Sequence, residues 1–229
     1  MIGDNLDFYL SRGYFRMQQD VFTCQFVQFN DTVYAVQWLR IRLEKVSYGP
    51  SQRRLLRINA RFSVVVKPLV LTAELKDLYA QYRAAIDFDA PSSIEACLLE
   101  GTHRNVFDTQ VVEVRDGDRL IAAGIFDNAP QSIMGVMNFY HFDYRKQSLG
   151  KFLMLQKMNY ALLQKKTFYY PGYVVYEYPK FDYKLFPCLA ATEVFDSLSG
   201  HWLPFSWDTM TQLSTTLLDE YKIRHEPDF

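Results

Sequence analysis

The sequence predicts an α+β fold: a mixed sheet flanked by helices, with an N-terminal region that contains a β-hairpin. Three observations carry this. "DTQVVEVRDGDRLIAAGIFDN" holds two apolar runs joined at Asp116-Gly117, a strong hairpin signal. "SIMGVMNFYHFD" follows as a third strand, and "TFYYPGYVVYEY" as a further apolar run, with "KQSLGKFLMLQKMNYALLQKK" between them at helical spacing. Hairpin, strand, helix, strand implies one parallel crossover.

The remaining elements follow in chain order. Residues 5 to 12 read as the end of a helix closed by Gly13. "VFTCQFVQ" and "TVYAVQWLRIRLEKV" alternate as half-buried strands do, with the hairpin residues "FNDT" between them. "SQRRLLRINARF" reads as a turn and short helix. "LTAELKDLYAQYRAAI" is a helix with Thr72 as its N-cap, and "SIEACLLEG" a shorter one stopped at Gly101. "SWDTMTQLSTTLLDEYKI" is a final helix with Leu213, Leu217 and Tyr221 on one face. The expected organisation is an N-terminal region over 1–67, an acyltransferase-like domain over 68–205 and a C-terminal helix over 206–229. The order of elements in the middle of the chain resembles an acyltransferase fold of the N-acetyltransferase (GNAT) type.

Composition narrows the class. The chain has 229 residues, 49% of them hydrophobic, enough to bury a core without disulfides. No apolar run reaches the roughly 18 to 20 residues needed to cross a bilayer. "FSVVVKPLVL", the best candidate, is broken by Lys67 and Pro68, and "MIGDNLDFYL" carries acids where a signal peptide needs bases. A cytoplasmic protein with no membrane partner is the expectation. Cys24, Cys97 and Cys188 show no metal-ligand spacing and are expected to be reduced and buried, with no metal and no cofactor. A net charge of −1 gives no global attraction to nucleic acid, so any such binding must come from a local patch.

Such a patch exists in the sequence. Arg40, Arg42, Lys45, Arg53, Arg54, Arg57, Arg61 and Lys67 stand against one acid, Glu44. Arginine suits bidentate contact to phosphate or carboxylate, and Arg53 and Arg57, at i and i+4, repel without an anion between them. A second candidate is the start of the helix at Gln147 to Gly150, because a helix N-terminus offers unpaired N–H groups to an anion. The acetyltransferase turn [Gln/Arg]-x-x-Gly-x-[Gly/Ala] is met at Gln147 and Gly150 but not at Phe152, where close approach wants a small residue. The same helix also reads as an ordinary core helix packing Leu149, Phe152, Leu153, Leu155, Met158 and Leu162. A third candidate is "YPKFDYKLFP", with Lys180 and Lys184 four apart and Tyr183 beside them.

In register, these segments resemble the aminoacyl-tRNA–protein transferase family of the N-end-rule pathway, arginyl and leucyl types together. "SQRRLLRIN" is close to its Ser-Gln-Arg-Arg-x-x-Arg-x-Asn signature, "QSLGKFLMLQKMNYA" to its Ser-Leu-Gly helix, and "YYPGYVVYEYPKFDYK" to its Tyr-x-Gly-Tyr and Lys-Met-x-Tyr-Lys ending. "LSRGYFR" also fits, and the resemblance runs from about residue 6 to residue 205. It departs at the family's cysteines, which are associated with a metal or iron–sulfur cluster. Asn30, Val33 and Val36 stand at the later of these positions.

The resemblance implies transfer of arginine or leucine from aminoacyl-tRNA to the α-amine of a protein beginning with Asp or Glu, marking it for degradation. It implies substrate- and tRNA-binding roles for Gln52, Arg53, Arg54, Arg57, Asn59, Tyr140, Gln147, Ser148, Leu149, Gly150, Tyr173, Lys180, Tyr183 and Lys184. An aminoacyl ester is already activated and an α-amine has a pKa near 7.7 to 8.0, so positioning supplies much of the rate. No Ser–His–Asp or Cys–His pair is required, and no catalytic base is assigned. An arginyl donor would want an acidic pocket, with Asp143, Glu177 and Asp182 as candidates; a leucyl donor would want an apolar one. An acetyl-CoA-dependent N-acetyltransferase and a non-catalytic degron- or RNA-binding module on the same fold are the alternatives.

Overall fold

A computed structural model describes residues 3–99, 101–102 and 104–225. In chain order the strands are β1 (Phe15–Met17), β2 (Asp20–Phe22), β3 (Phe26–Phe29), β4 (Thr32–Arg42), β5 (Ser63–Pro68), β6 (Thr109–Asp116), β7 (Arg119–Asn128), β8 (Ser132–Tyr140), β9 (Phe168–Val175), β10 (Thr192–Asp196) and β11 (His201–Pro204). The helices are α1 (Leu6–Ser11), α2 (Pro50–Ile58), α3 (Ala73–Ala85), α4 (Ile94–Leu98), α5 (Leu149–Leu163) and α6 (Trp207–His225).

One mixed sheet runs β11-β10-β4-β9-β8-β7-β6-β5, with β3 added on β4, and β1 pairs with β2 alone. The expected parallel crossover is present: β8 and β9 are parallel and α5 connects them. The β6–β7 hairpin closes over Gly117 and Asp118, with Asp116 opposite Arg119 and Gly117 at φ +59°. Strands β4 and β5, from the segment expected as an N-terminal region, lie in the same sheet as β6 to β9. No helix of the described residues is long and apolar enough to cross a membrane.

Alternation along the strands builds two faces. Val112, Val114, Ala122 and Phe126 face α5, while Val111, Ala123, Ile125 and Phe139 face α3. Thr72 caps α3 as expected, its hydroxyl accepting from the Leu75 N–H at 3.3 Å. On α5, Leu149, Leu153, Lys157 and Ala161 form a buried stripe four residues apart. Leu162, expected in that face, is exposed.

Several expectations are corrected. "VFTCQFVQ" is two strands, not one: β2 ends at Phe22, β3 starts at Phe26, and each pairs with a different neighbour. Strand β4 ends at Arg42, after which Leu43–Lys45 forms a single 3-10 turn. β5, β10 and β11 have no counterpart in the sequence reading. All three cysteines are free, but only Cys188 is buried; Cys24 and Cys97 are half-buried. Among the described residues no group of three or more His, Cys, Asp or Glu is placed to hold a metal.

Candidate functional site

The cleft arises from the way β9 leaves β8. Parallel pairing covers only Ser132, Ile133 and Met134 opposite Phe168, Tyr169 and Tyr170. The next residue, Pro171, has no N–H to continue a ladder, and Gly172 takes φ +105°, open to glycine and strained for other residues. From there β9 stays with β4, Tyr173 opposite Trp38, while β8 stays with β7 as far as Tyr140. The two strands splay, and a cleft of about 1260 Å³ opens between them, walled also by the first two turns of α5 and by β1.

The start of α5 opens onto this cleft. Ser148 is its N-cap, in the left-handed region at φ 50° and ψ 45°, with no side-chain cap bond. The first N–H groups of a helix have no intrahelical partner, and Ser148, Gly150 and Lys151 line the cleft here. Tyr140 lines it opposite: a Cβ on Gly150 would sit 3.5 Å from the Tyr140 ring, an ordinary contact. Leu149 is fully buried in the core and lines nothing, and Phe152 is buried beside it. Gln147 is also outside the lining; its Oε1 is buried without a partner, while its backbone carbonyl accepts from Asn59 Nδ2 at 3.0 Å.

The opposite wall is aromatic and cationic. Trp38 meets Tyr173 edge to face at 5.0 Å, Tyr173 lies 5.4 Å from Phe181, and Phe29 stacks on Tyr178 at 4.8 Å. Lys184 sits among these rings, its Nζ 4.5 Å from the Tyr173 centroid and 4.6 Å from that of Phe181. It donates to the Tyr173 carbonyl at 2.7 Å and has no carboxylate within 4 Å among the described residues. Burial pushes its pKa down to about 7. Tyr183 and Lys180 line the same wall, Lys180 over the Phe88 ring.

Two buried cations at the cleft escaped the sequence reading. Lys157 is 1% exposed and donates to the carbonyls of Ile125 and Met137 at 2.7 and 3.1 Å. Those carbonyls flank a β-bulge: Ile125 pairs with Met137 and Phe126 with Gly135, leaving Val136 as the extra residue. Burial pushes the Lys157 pKa down to about 7. Its place on the stripe Leu149, Leu153, Ala161 was the legible signal, since a lysine at a core position is rarely idle. Arg16, within "LSRGYFR", is bonded to Asp127 at 2.7 Å, to Thr109 at 2.9 Å and to the Leu98 carbonyl at 2.9 Å. Both partners of that ion pair are buried, and it ties β1 to β7 at the cleft edge.

The arginine-rich stretch is divided by the fold. On strands its cations are paired: Arg40 with Glu193 at 2.6 Å, Arg42 with Glu44 and Glu193, Lys67 with Glu113 at 2.9 Å. On and after α2 they are not. Arg53, Arg54, Arg57 and Arg61 are exposed, and the Arg53 guanidinium donates to the Tyr48 carbonyl. None of the α2 arginines lines the cleft. Gln52 and Asn59 act as ties: Gln52 donates to the Phe186 carbonyl, and Asn59, fully buried, bridges Leu55 and Gln147. Of the fourteen expected site residues, then, Tyr140, Ser148, Gly150, Tyr173, Lys180, Tyr183 and Lys184 share one cleft. Gln52, Arg53, Arg54, Arg57, Asn59, Gln147 and Leu149 lie outside its lining.

Residues 74–186 match the family model described as the C terminus of arginine-tRNA-protein transferase. That segment contains β6 to β9, α5 and the Lys180–Lys184 wall. An aspartate/glutamate leucyltransferase of Shewanella sp. (strain MR-4) is 28% identical over 156 residues, 66% of this chain and 63% of that protein. One of Saccharophagus degradans is 29% identical over 172 residues, 73% of this chain and 70% of the relative. One of Pseudomonas putida (strain W619) is 31% identical over 146 residues, 58% and 57%. The chain thus spans less than two thirds of the length of the Shewanella and Pseudomonas relatives. Among solved structures, L-PGS from Bacillus licheniformis aligns with a TM-score of 0.43 at 12% identity, over 61% of this chain and 48% of that one. A GCN5-related N-acetyltransferase from Kribbella flavida aligns with a TM-score of 0.36 at 16% identity, over 59% and 47%. In its motifs, and across the cleft-forming segment that the family model matches, the chain is similar to the aminoacyl-tRNA–protein transferases.

Proposed function

We propose that the chain transfers leucine from leucyl-tRNA to the N-terminal amine of a protein beginning with Asp or Glu, in the cytoplasm, marking that protein for degradation. The observation that carries this is the charge of the cleft. Arg145, Lys151, Lys180 and Lys184 line it with no carboxylate within 4 Å among the described residues, and Asp89, exposed, is the one acid in the lining. A cationic cleft with a helix N-terminus and an aromatic wall suits a nucleotide 3′ end, whose phosphates need cations and whose unstacked base needs a flat apolar face.

The reaction needs no cofactor. The neutral α-amine attacks the ester carbonyl carbon, a C–N bond forms, the bond to the ribose 3′ oxygen breaks, and the amine proton passes to that oxygen. The helix start supplies backbone N–H groups at the cleft for the ester oxygen. Lys184 and Lys180 supply the cation for the acidic side chain of the acceptor. The scarcity of acids favours leucine over arginine as donor: beside the exposed Asp89 the lining holds no carboxylate, Asp143, Glu177 and Asp182 all lie outside it, and Met134, Val136, Met137 and Met154 line it. The names of the curated relatives point the same way. Phe152 speaks against an acetyl-CoA pyrophosphate at this turn, since its buried ring replaces the small residue that site wants.

The test is direct. The protein is incubated with leucyl- or arginyl-tRNA and a peptide starting with Asp, Glu or Ala. A mass gain of one leucine on the acidic peptides supports the reading. Gain of arginine would replace the donor. No gain from either tRNA would leave a binding module, and gain of an acetyl group from acetyl-CoA would overturn the family reaction for this chain.

A further inference from the structure

We infer that Lys157 is the proton acceptor of the transfer: through one water held between its amine and the Asn138 side-chain oxygen, it takes the proton that the attacking α-amine gives up. This deepens the proposed transfer and rests on it for the identity of the reaction.

Three features carry it. The first is position. Gly150, Met154 and Lys157 stand four and three apart on α5 and all line the cleft. Lys157 lies about 10 Å of helix inward from Gly150, and helical side chains lean back towards the N-terminus. Its stem therefore leans towards the helix start that serves the ester.

The second is a pair of incompletely bonded groups side by side. An amine on its stem has three further positions. The carbonyls of Ile125 and Met137 take two of them on Lys157, and no side chain bonds the third among the described residues. Asn138, opposite Gly124 on the paired strand, lines the same cleft, and its Oδ1 is buried without a partner. A Cβ on Gly124 would stand 2.9 Å from both Asn138 Oδ1 and Lys157 Cε, so the two side chains meet across the room that glycine leaves. A water that donates to the Lys157 lone pair and to Asn138 Oδ1 completes both groups, and its own lone pairs remain to take a proton from the cleft.

The third is the state of the amine. Burial pushes the Lys157 pKa down to about 7, which leaves a usable share neutral near pH 7. The groups around it do not hold the charge. Asp127 on β7 acts on it but is bonded to Arg16 at 2.7 Å. β8 and β9 bring Tyr140 and Tyr169, α5 itself Tyr160, and β6 and α2 only Val112, Val114 and Leu55. In the reaction the neutral α-amine adds to the ester carbon, and its nitrogen gives a proton to the water, which passes one of its own to Lys157. The bond to the ribose 3′ oxygen then breaks, and Lys157 returns the proton through the water to that oxygen. An amide, a free 3′ hydroxyl and a neutral Lys157 are left.

The test is leucine transfer from leucyl-tRNA to an Asp-starting peptide by wild type, Lys157→Met and Lys157→Gln, read as peptide mass gained per folded molecule from pH 5.5 to 8.5. In both variants kcat is expected to fall by about a hundredfold or more, with KM for both substrates unchanged. The acceptor amine titrates in all three proteins and cancels in the ratio of wild type to variant. That ratio is expected to rise about tenfold per pH unit up to pH 7 and to level off above it. Asn138→Ala is expected to slow transfer by up to about tenfold, the worth of one hydrogen bond, with the same midpoint. Glutamine keeps a donor for the Ile125 and Met137 carbonyls, so a Gln variant of full rate would make Lys157 a structural tie and overturn the inference. A ratio flat in pH overturns it too, as does a loss confined to KM, and an Asn138→Ala enzyme of full rate overturns the bridging water. Wild type that transfers from neither leucyl- nor arginyl-tRNA sinks the proposed reaction and this role with it; an active wild type with a flat ratio sinks this role alone.

Discussion

The ammonium of Lys184 donates to the carbonyl oxygen of Tyr173 at 2.7 Å and lies 4.5 Å from the centroid of the same residue's ring. One residue of β9 thus holds Lys184 through its backbone and through its side chain, and Gly172 beside it leaves the space: a Cβ there would sit 3.4 Å from Lys184 Cε. The ammonium is caged by a carbonyl and aromatic rings, with no carboxylate within 4 Å among the described residues.

A pH dependence follows. Burial lowers the Lys184 pKa from its ordinary 10.5 to about 7, so the free protein loses this charge as pH rises through 7. In the proposed function an acidic side chain binds the charged form. Affinity for an Asp-starting peptide is therefore expected to fall above pH 7, by up to about tenfold per pH unit from this group. The peptide α-amine titrates nearby, so the readout is the difference between wild type and Lys184→Met, measured by calorimetry. Parallel pH profiles in the two proteins would remove Lys184 from acceptor binding.

Lys157 gives a separate signature, in stability. Its folded pKa is about 7 while the unfolded chain keeps its proton to about 10.5. Between these values the unfolded state binds more protons, so stability rises with pH; below 7 the full penalty of the buried charge is present. Relative to Lys157→Met, the wild type is expected to gain up to about 1.4 kcal/mol per pH unit across that window. Urea unfolding of both proteins from pH 7 to 10 checks this, and a constant difference between them would refute it.

Arg16 and Asp127 are desolvated together, so removing one strands the other. Arg16→Met is expected to lower stability by about 3–5 kcal/mol. The double variant Arg16→Met/Asp127→Leu should recover part of that loss, because it strands no charge. Chemical unfolding gives both values, and a double variant that adds the two single losses would show that the pair is not coupled.

Much of this was legible. The Asp116-Gly117 turn marks the hairpin through its own chemistry, and α5 declares itself by its periodicity. The edge strands β10 and β11 are four or five residues long, too short for alternation to show. β5 was hidden by Lys67 and Pro68, which an edge strand tolerates. The site was legible in half. Tyr173 and Lys184 sit in one motif and meet in one cage. The arginines of 40–67 look like a single patch because their partners, Glu193 and Glu113, are far along the chain and arrive only through strand pairing.

Gly150 decides whether the opening of α5 handles substrate. A Cβ there meets only the Tyr140 ring, at 3.5 Å, so Gly150→Ala fits without movement. Alanine also limits the unfolded chain, so this variant is expected to melt no lower than wild type and to keep its transfer rate. Gly150→Val adds two methyl groups at the mouth of the cleft, against Tyr140 and beside Ser148 and Lys151, which also line it. The core below, made by Leu149, Phe152 and Leu153, is untouched, so folding survives. Transfer per folded molecule is expected to fall by about tenfold or more, because a small displacement of the ester from its attacking amine is costly. Melting temperature and transfer rate measured on the same preparations separate the two roles. A Val variant of lowered stability and full activity would make this a core helix and nothing more.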